Sequence, residues 1–466
     1  MDSNNAKLRM QAFLEKYFSG ESIDYRQIFG LFFPILIDQA FLVCLSLVNT
    51  AMISSSGVAA VSAVSTVDSI NMFLISVFVA IATGGTVVVA QYKGSGNTEM
   101  VDKAAASSVS AVTLFSVCVS LLVVLFSRPL LSLLFGAAEA DVLDNAGIYL
   151  IGSGVSFVGI AIKEAVCGAL RGIGKTRVTL MLSLVMNLSY LLLNVVFINW
   201  MHMGVHGMVF SVNISRYLAA ACAIFYLVRM DTSLHYRIRD AVMINFSMFK
   251  RILFIGLPFA AEQLFFNGGK ILTQTFVVSL GTYAIAVNAI GSSIAVVYQI
   301  APIALSTTTV TVIGQCIGRR NIQDARKLTK SFLWLSSCSF IVMAIIMMPL
   351  FHPLLGLFHP PTEIVDDIYW LVLINAIALI PLWSISFLLP AALRAAGDSK
   401  FVSVTAMLTM WLFRVVMGYV FGILLHWGVI GVWLAMELEW GVRGAVFLWR
   451  FRGEQWYKHR LIEPGT

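Results

Sequence analysis

Pro34-Ile35-Leu36-Ile37-Asp38-Gln39-Ala40-Phe41 returns 224 residues later as Pro258-Phe259-Ala260-Ala261-Glu262-Gln263-Leu264-Phe265. The register holds without a gap from 34–97 onto 258–321. Gly57 falls on Gly281, Gln91 on Gln315, Gly94 on Gly318 and Asn97 on Asn321, and 14 of the 64 positions are identical. Unrelated apolar segments share only a few, so the chain reads as two homologous halves. Two such halves in a very apolar chain are how many secondary transporters are built.

Composition sets the solvent. Of the 466 residues, 59% are hydrophobic and only 12% charged, about half the charged share of a soluble protein. Apolar runs of about 20 residues then read as membrane-spanning helices. We place twelve, near 31–54, 66–92, 103–127, 145–168, 178–200 and 205–229, then 252–276, 285–314, 329–351, 367–390, 401–425 and 428–450. The reading is an all-α polytopic membrane protein with twelve transmembrane helices in two pseudo-symmetric six-helix lobes. Its segments are 1–30 (a polar start without the pattern of a cleavable signal, with a short surface helix at Met10 to Phe18), 31–229 (first lobe), 230–251 (linker), 252–450 (second lobe) and 451–466 (tail). Six helices per half give both halves the same orientation, with a cleft between them near the midplane.

Lysine and arginine collect on alternate loops, among them Lys93, Arg171, Lys175, Arg237, Arg319, Arg326, Arg394 and Lys400, while the opposite loops carry Arg128 with acids such as Glu139, Asp141 and Asp366. The positive-inside rule puts both termini in the cytoplasm. The same asymmetry accounts for the net charge of +7 without a nucleic-acid partner. Six cysteines stand singly in apolar runs, as packing thiols do. No P-loop appears, which leaves an ion gradient as the energy source. His202 and His206 straddle a turn, a poor zinc pair.

Ionisable groups inside spanning helices cost several kcal/mol unless paired or hydrated, so each is a functional candidate. Asp38 and its repeat mate Glu262 both follow the lobe's first proline and precede Gln39 and Gln263. They read as a proton or cation site in each lobe, or as contacts for a cationic substrate, against the plainer reading of acids bonding nearby backbone. Lys270 lies two turns beyond Glu262, after Asn267-Gly268-Gly269. It suits a competing carboxylate or an anionic substrate group, unless it snorkels to the interface. The Gly pair favours close packing. Asp68 keeps polar company in Ser65, Ser69 and Asn71. Lys163 and Glu164 are neighbours that point about 100° apart, so separate partners are expected.

The repeated turns and loops resemble those of the multidrug and toxic compound extrusion (MATE) family, nearest its bacterial DinF-like branch. The turns are Gln91-Tyr92-Lys93-Gly94 and Gln315-Cys316-Ile317-Gly318. The loops are Leu170-Arg171-Gly172-Ile173-Gly174-Lys175-Thr176 and Leu393-Arg394-Ala395-Ala396-Gly397-Asp398-Ser399, and the eleventh helix carries Trp411-Leu412-Phe413-Arg414. The resemblance implies export driven by protons or sodium through alternating access. It places Asn49 where many bacterial members have a cation-binding aspartate, and Tyr190 and Asn194 where the fifth helix has its asparagine–acid pair, with Asn187 one turn earlier. Arg414 resembles a family residue, with a structural ion pair to Glu437 or Glu439 expected.

The function expected is a secondary active antiporter in the bacterial inner membrane. It moves organic cations or amphipathic small molecules, using Asp38, Glu262 and Asp68 for coupling. Gln39, Asn49, Asn187, Tyr190, Asn194, Gln263, Asn267 and Lys270 line the substrate cleft. No cofactor or metal is expected beyond the coupling ion, H+ or Na+. A monomer in the lipid bilayer is expected, and no enzyme chemistry, since no nucleophile–base pair appears. The nearest alternative keeps the fold and exports a lipid-linked or specific metabolite precursor; its flippases have a strongly cationic cavity, and few basic residues stand at depth here.

Overall fold

The computed structural model describes residues 2–53, 58–135, 140–234, 245–356, 360–459 and 461–462. Among them the regular elements are all helical, as lipid requires of a spanning chain that must bond its own backbone. The helices are α1 (Asp2–Phe18), α2 (Tyr25–Ile53), α3 (Val58–Ser95), α4 (Thr98–Leu125), α5 (Ser127–Phe135), α6 (Ala140–Gly172), α7 (Thr176–Asn194) and α8 (Gly204–Phe225). After the linker come α9 (Phe246–Ser279), α10 (Thr282–Tyr298), α11 (Ile300–Gly318), α12 (Ile322–Met347), α13 (Phe351–Gly356) and α14 (Val365–Trp383). The last are α15 (Leu389–Ala395), α16 (Ser399–Thr409), α17 (Val416–Tyr419) and α18 (Gly428–Arg452).

The eighth span, expected as one helix, is two. α10 and α11 meet at Gln299, because Pro302 has no N–H to give the Tyr298 carbonyl and its ring crowds that turn. Its counterpart in the first half is Phe78, and α3 runs unbroken. Among the described residues eleven helices are long and apolar enough to cross a membrane, α11 among them with α10 before it. α18, which holds Glu437, Glu439 and Arg443, completes the twelve spans.

The repeat reaches the backbone. Left-handed φ occurs at Gly96 and Arg320, at Gly174 and Gly397, at His202 and His426, and at Gly204 and Gly428. Each is a repeat pair. Gly281 is left-handed too, and its mate Gly57 lies outside the described residues. Asn97 caps α4 by accepting from the Met100 N–H at 3.1 Å, and Asn321 caps α12 from Asp324 at 2.9 Å. That is why this asparagine recurs. Replacing Asn321 by Ala should lower stability by about 1 kcal/mol, read as a small fall in thermal unfolding midpoint.

Contacts divide the chain into two units, Ala40–Ala260 and Met1–Gln39 with Ala261–Pro464. The divisions fall inside α2 and α9. In the first unit Phe78, Phe157, Ile81, Leu150 and Leu170 are fully buried. The second has its core around Phe332, Phe340, Trp383, Phe447 and Trp456, while Trp334 and Ile345 stay exposed, as lipid-facing residues do. Its amino-terminal segment is tied down: Asp324 accepts from the Ser22 N–H at 2.7 Å, and Lys327 donates to the Ser19 carbonyl at 2.6 Å. In each unit an ion pair anchors the loop after the fourth span, with the charges reversed. Lys175 meets Asp231 at 2.8 Å, and Asp398, the repeat mate of Lys175, meets Arg450 at 2.7 Å.

Candidate functional site

Phe266, Lys270 and Gln274 recur every fourth residue of α9 and so share one face. They line a cavity of about 360 Å³ in the second unit, with Asn288, Arg414 and Trp433 among its other walls. Gly269 lets α9 come close: a Cβ there would stand 2.6 Å from the Met410 methyl. Met410 opens a π-helical turn, Met410–Val415, and Arg414 projects from that turn. Lys270 lies over the Phe266 ring at 4.8 Å and Arg414 at 5.7 Å. Arg443 on α18 reaches the same ring at 5.8 Å and Phe387 at 4.4 Å. Three cations thus surround one aromatic ring, a geometry that favours each by the ring's electron-rich face.

Only one of the three is neutralised. Arg443 and Glu439, both buried, pair at 3.0 Å one turn apart. The expected pairing of Arg414 with Glu437 or Glu439 does not form. Glu439 is taken by Arg443 on its own helix. Glu437, two residues away, is hydrogen-bonded to Asn375 of the cavity wall and also lines a groove with Leu382, Leu434 and Leu438. Among the described residues no carboxylate lies within ion-pair distance of Lys270 or Arg414. Few basic residues were expected at depth, yet three converge here. Arg443, Phe266, Asn288 and Trp433 were not foreseen as site residues.

Glu262 has a settled partner. Its carboxylate accepts from Arg394 at 2.5 Å and from the Ser403 hydroxyl at 2.9 Å, and it is buried. Arg394 comes from the last turn of α15, just before the turn that the motif was expected to form, so that motif supplies the counter-charge. Asp38, Gln39, Gln263 and Asn267 are half-buried on α2 and α9.

The first unit carries a different cluster. Asp68 accepts from the Tyr149 hydroxyl at 3.0 Å and from the Asn71 amide at 3.4 Å, and the same amide donates to Ser153 at 3.0 Å. Arg216 on α8 donates to Ser156 at 2.7 Å. Of the polar company expected for Asp68, Asn71 is a partner, whereas Ser69 is exposed; the side chains of Ser65 and Asn49 lie outside the described ones. Tyr149 and Arg216 carry no local sequence signal, since both arrive from distant helices. On α7, Asn194 is buried, and Asn187 donates to the Ser183 carbonyl of its own helix at 2.9 Å. Lys163 and Glu164 depart from expectation by pairing with each other at 2.8 Å. The long lysine stem curls back, and Lys163 also reaches Ser183 at 3.2 Å. Among the described residues no group of three His, Cys, Asp or Glu is placed to hold a metal ion.

The model of the MatE family matches residues 34–201 and 258–420, two stretches whose starts differ by the repeat offset. The uncharacterized transporter YisQ of Bacillus subtilis is 28% identical over 92% of this chain and 94% of its own. A probable multidrug resistance protein NorM of Thermotoga maritima is 22% identical over 94% of each. In fold, the chain is similar to the Vibrio cholerae MATE transporter VcmN, with a TM-score of 0.84 at 22% identity over 93% of this chain and 98% of that one. Matched by the family model over most of its length, once in each half, the chain belongs to the MatE family of multidrug and toxic compound extrusion transporters.

Proposed function

We propose that this chain is a secondary active exporter that carries organic cations or amphipathic small molecules out of a bacterial cell, driven by protons or sodium. The observation that carries the reading is a cavity of about 360 Å³, lined by aromatic and aliphatic side chains together with convergent polar ones, built from spanning helices of a MatE-family chain. Ligand sites have that character. The protein acts as a monomer in the inner membrane with both termini cytoplasmic, in keeping with the cationic loops. It performs no enzyme chemistry and needs no cofactor, metal or nucleic acid.

Coupling falls to Asp68, Asp38 or Glu262. Of these, Asp68 is bonded by neutral donors, Tyr149 and Asn71, so taking up a proton or sodium breaks no ion pair. Occupation of that acid would bias the equilibrium between outward-open and inward-open states by its different affinity for the two.

The test is efflux of a fluorescent amphipath from proteoliposomes under an imposed proton or sodium gradient. Asp68→Asn should lower gradient-driven efflux at least tenfold while exchange at equal ion concentrations persists. Full gradient-driven efflux in Asp68→Asn would move coupling to Asp38, to be read from Asp38→Asn. No gradient-dependent efflux by the unaltered protein would refute the reading.

A further inference from the structure

We propose that the cavity of the second unit binds the anionic group of the cargo, a carboxylate or phosphate carried on an apolar or aromatic body. This rests on the exporter reading above and narrows its substrate class.

The sign of the site follows from its donors. Lys270 and Arg414 line the cavity, and no carboxylate does. Of the acids behind its walls, Glu439 is committed to Arg443 at 3.0 Å and Glu437 is hydrogen-bonded to Asn375. The amides add to the bias through a chain whose direction is fixed. An indole can only donate, so the Trp433 Nε1–H at 2.8 Å requires the Asn288 oxygen to face it. The Asn288 amide nitrogen then donates to the Gln274 oxygen at 3.0 Å. That leaves the NH2 of Gln274 as the open end, one turn from Lys270 on the same face. The chain ends in a donor. An ammonium, a guanidinium and an amide NH2 therefore line one cavity, the constellation that an oxyanion satisfies and an organic cation does not.

The backbone adds a second, independent argument. Two π-helical turns, Ser384–Leu388 and Met410–Val415, match regular stretches of α6 and α7 in the first half, whose own π-helical turns fall elsewhere, at Val195–Trp200 and Tyr226–Met230. These departures from the repeat deliver Phe387 and Arg414, both of which line the cavity. Turns of this kind concentrate at functional sites. Lys270 is exposed and Arg414 half-buried in the cavity, so both are open to a ligand, and an anionic cargo supplies the counter-charge they lack there. Phe266, Phe387, Trp433 and Trp440 leave the remaining wall to an apolar body.

The test uses one ring system with three charges: radiolabelled naphthoate, naphthylmethylammonium and naphthalenemethanol, bound to the purified full-length protein by scintillation proximity. Naphthoate should bind at least tenfold more tightly than either of the others, and less tightly as salt rises. Lys270→Gln and Arg414→Gln should each weaken naphthoate about tenfold and leave naphthalenemethanol unchanged, whereas Lys270→Arg should stay within about threefold. Displacement by naphthyl phosphate would support a soluble cargo and displacement by dioleoyl phosphatidate a lipid headgroup, both at the same site. Equal binding of naphthoate and naphthylmethylammonium would overturn the proposal, as would unchanged naphthoate affinity in both glutamine variants. If those variants misfold, the unaltered protein and Lys270→Arg still decide. Naphthoate binding without any gradient-driven flux would refute the exporter reading and leave the anion site standing. Flux without naphthoate binding would do the reverse.

Discussion

Glu262→Ala should lower the stability of the protein by roughly 3–5 kcal/mol, read as a large drop in thermal unfolding midpoint and in monodisperse yield. Glu262 and Arg394 are both buried and 2.5 Å apart. Removing the acid takes the carboxylate from a buried guanidinium and the acceptor from Ser403. Glu262→Gln keeps an acceptor and should cost less. Adding Arg394→Gln to Glu262→Gln should restore part of the loss, because the pair then leaves no buried charge. An unfolding midpoint unchanged in Glu262→Ala would contradict the structural role. The consequence for transport is practical: efflux lost in a Glu262 variant identifies a coupling acid only after correction for folded protein.

The second large effect is steric. Where α3 crosses α9, Gly84 and Gly256 bring two backbones together. A Cβ on Gly256 would stand 2.8 Å from the Ile81 Cα, and one on Gly84 would stand 2.6 Å from the Ile252 carbonyl oxygen. Small residues at such crossings let membrane helices pack by close contact. Gly256→Leu should therefore cost about 3 kcal/mol or more, at the upper end of overpacking, because neither neighbour is a side chain that can swing away. Gly268 is the control: a Cβ there meets nothing within 4 Å. Gly268→Ala should be neutral or gain about 0.5–1 kcal/mol from reduced backbone freedom. Comparing the unfolding midpoints of the two variants checks both statements. Equal midpoints would mean that the crossing is not tight.

The spans were legible because an apolar run long enough to cross a bilayer is a strong signal, and the expected 178–200 and 205–229 lie within two residues of the observed spans Thr176–Trp200 and Gly204–Met230. The repeat foretold more than homology. It paired Asn97 with Asn321 and Gly174 with Gly397, and the structure gives each pair one shared role, as helix caps and as left-handed residues. What stayed hidden depends on helices far apart in the chain. Pro302 breaks the eighth span at a site where the first half has Phe78, and the hydrophobic run hid that break. Arg443 was overlooked because its pairing with Glu439 looks like an ordinary helix-surface pair until α18 is packed against Phe266. Arg414 was assigned an acid, yet it meets an aromatic face, since a π-helical turn rotates it away from the direction that regular helical spacing predicts. Of the groups flanking Asp68 in sequence Asn71 bonds it, but Tyr149 arrives from 81 positions away, beyond any local pattern.

Ion movement tests the exporter account most directly. Proteoliposomes holding a pH-sensitive dye and an imposed proton gradient, or a sodium indicator and an imposed sodium gradient, would be given an amphipathic cargo, naphthoate first. The account predicts that the cargo speeds collapse of one of the two gradients in proportion to its own uptake, and that Asp68→Asn abolishes this. Cargo uptake that leaves both gradients untouched would contradict it.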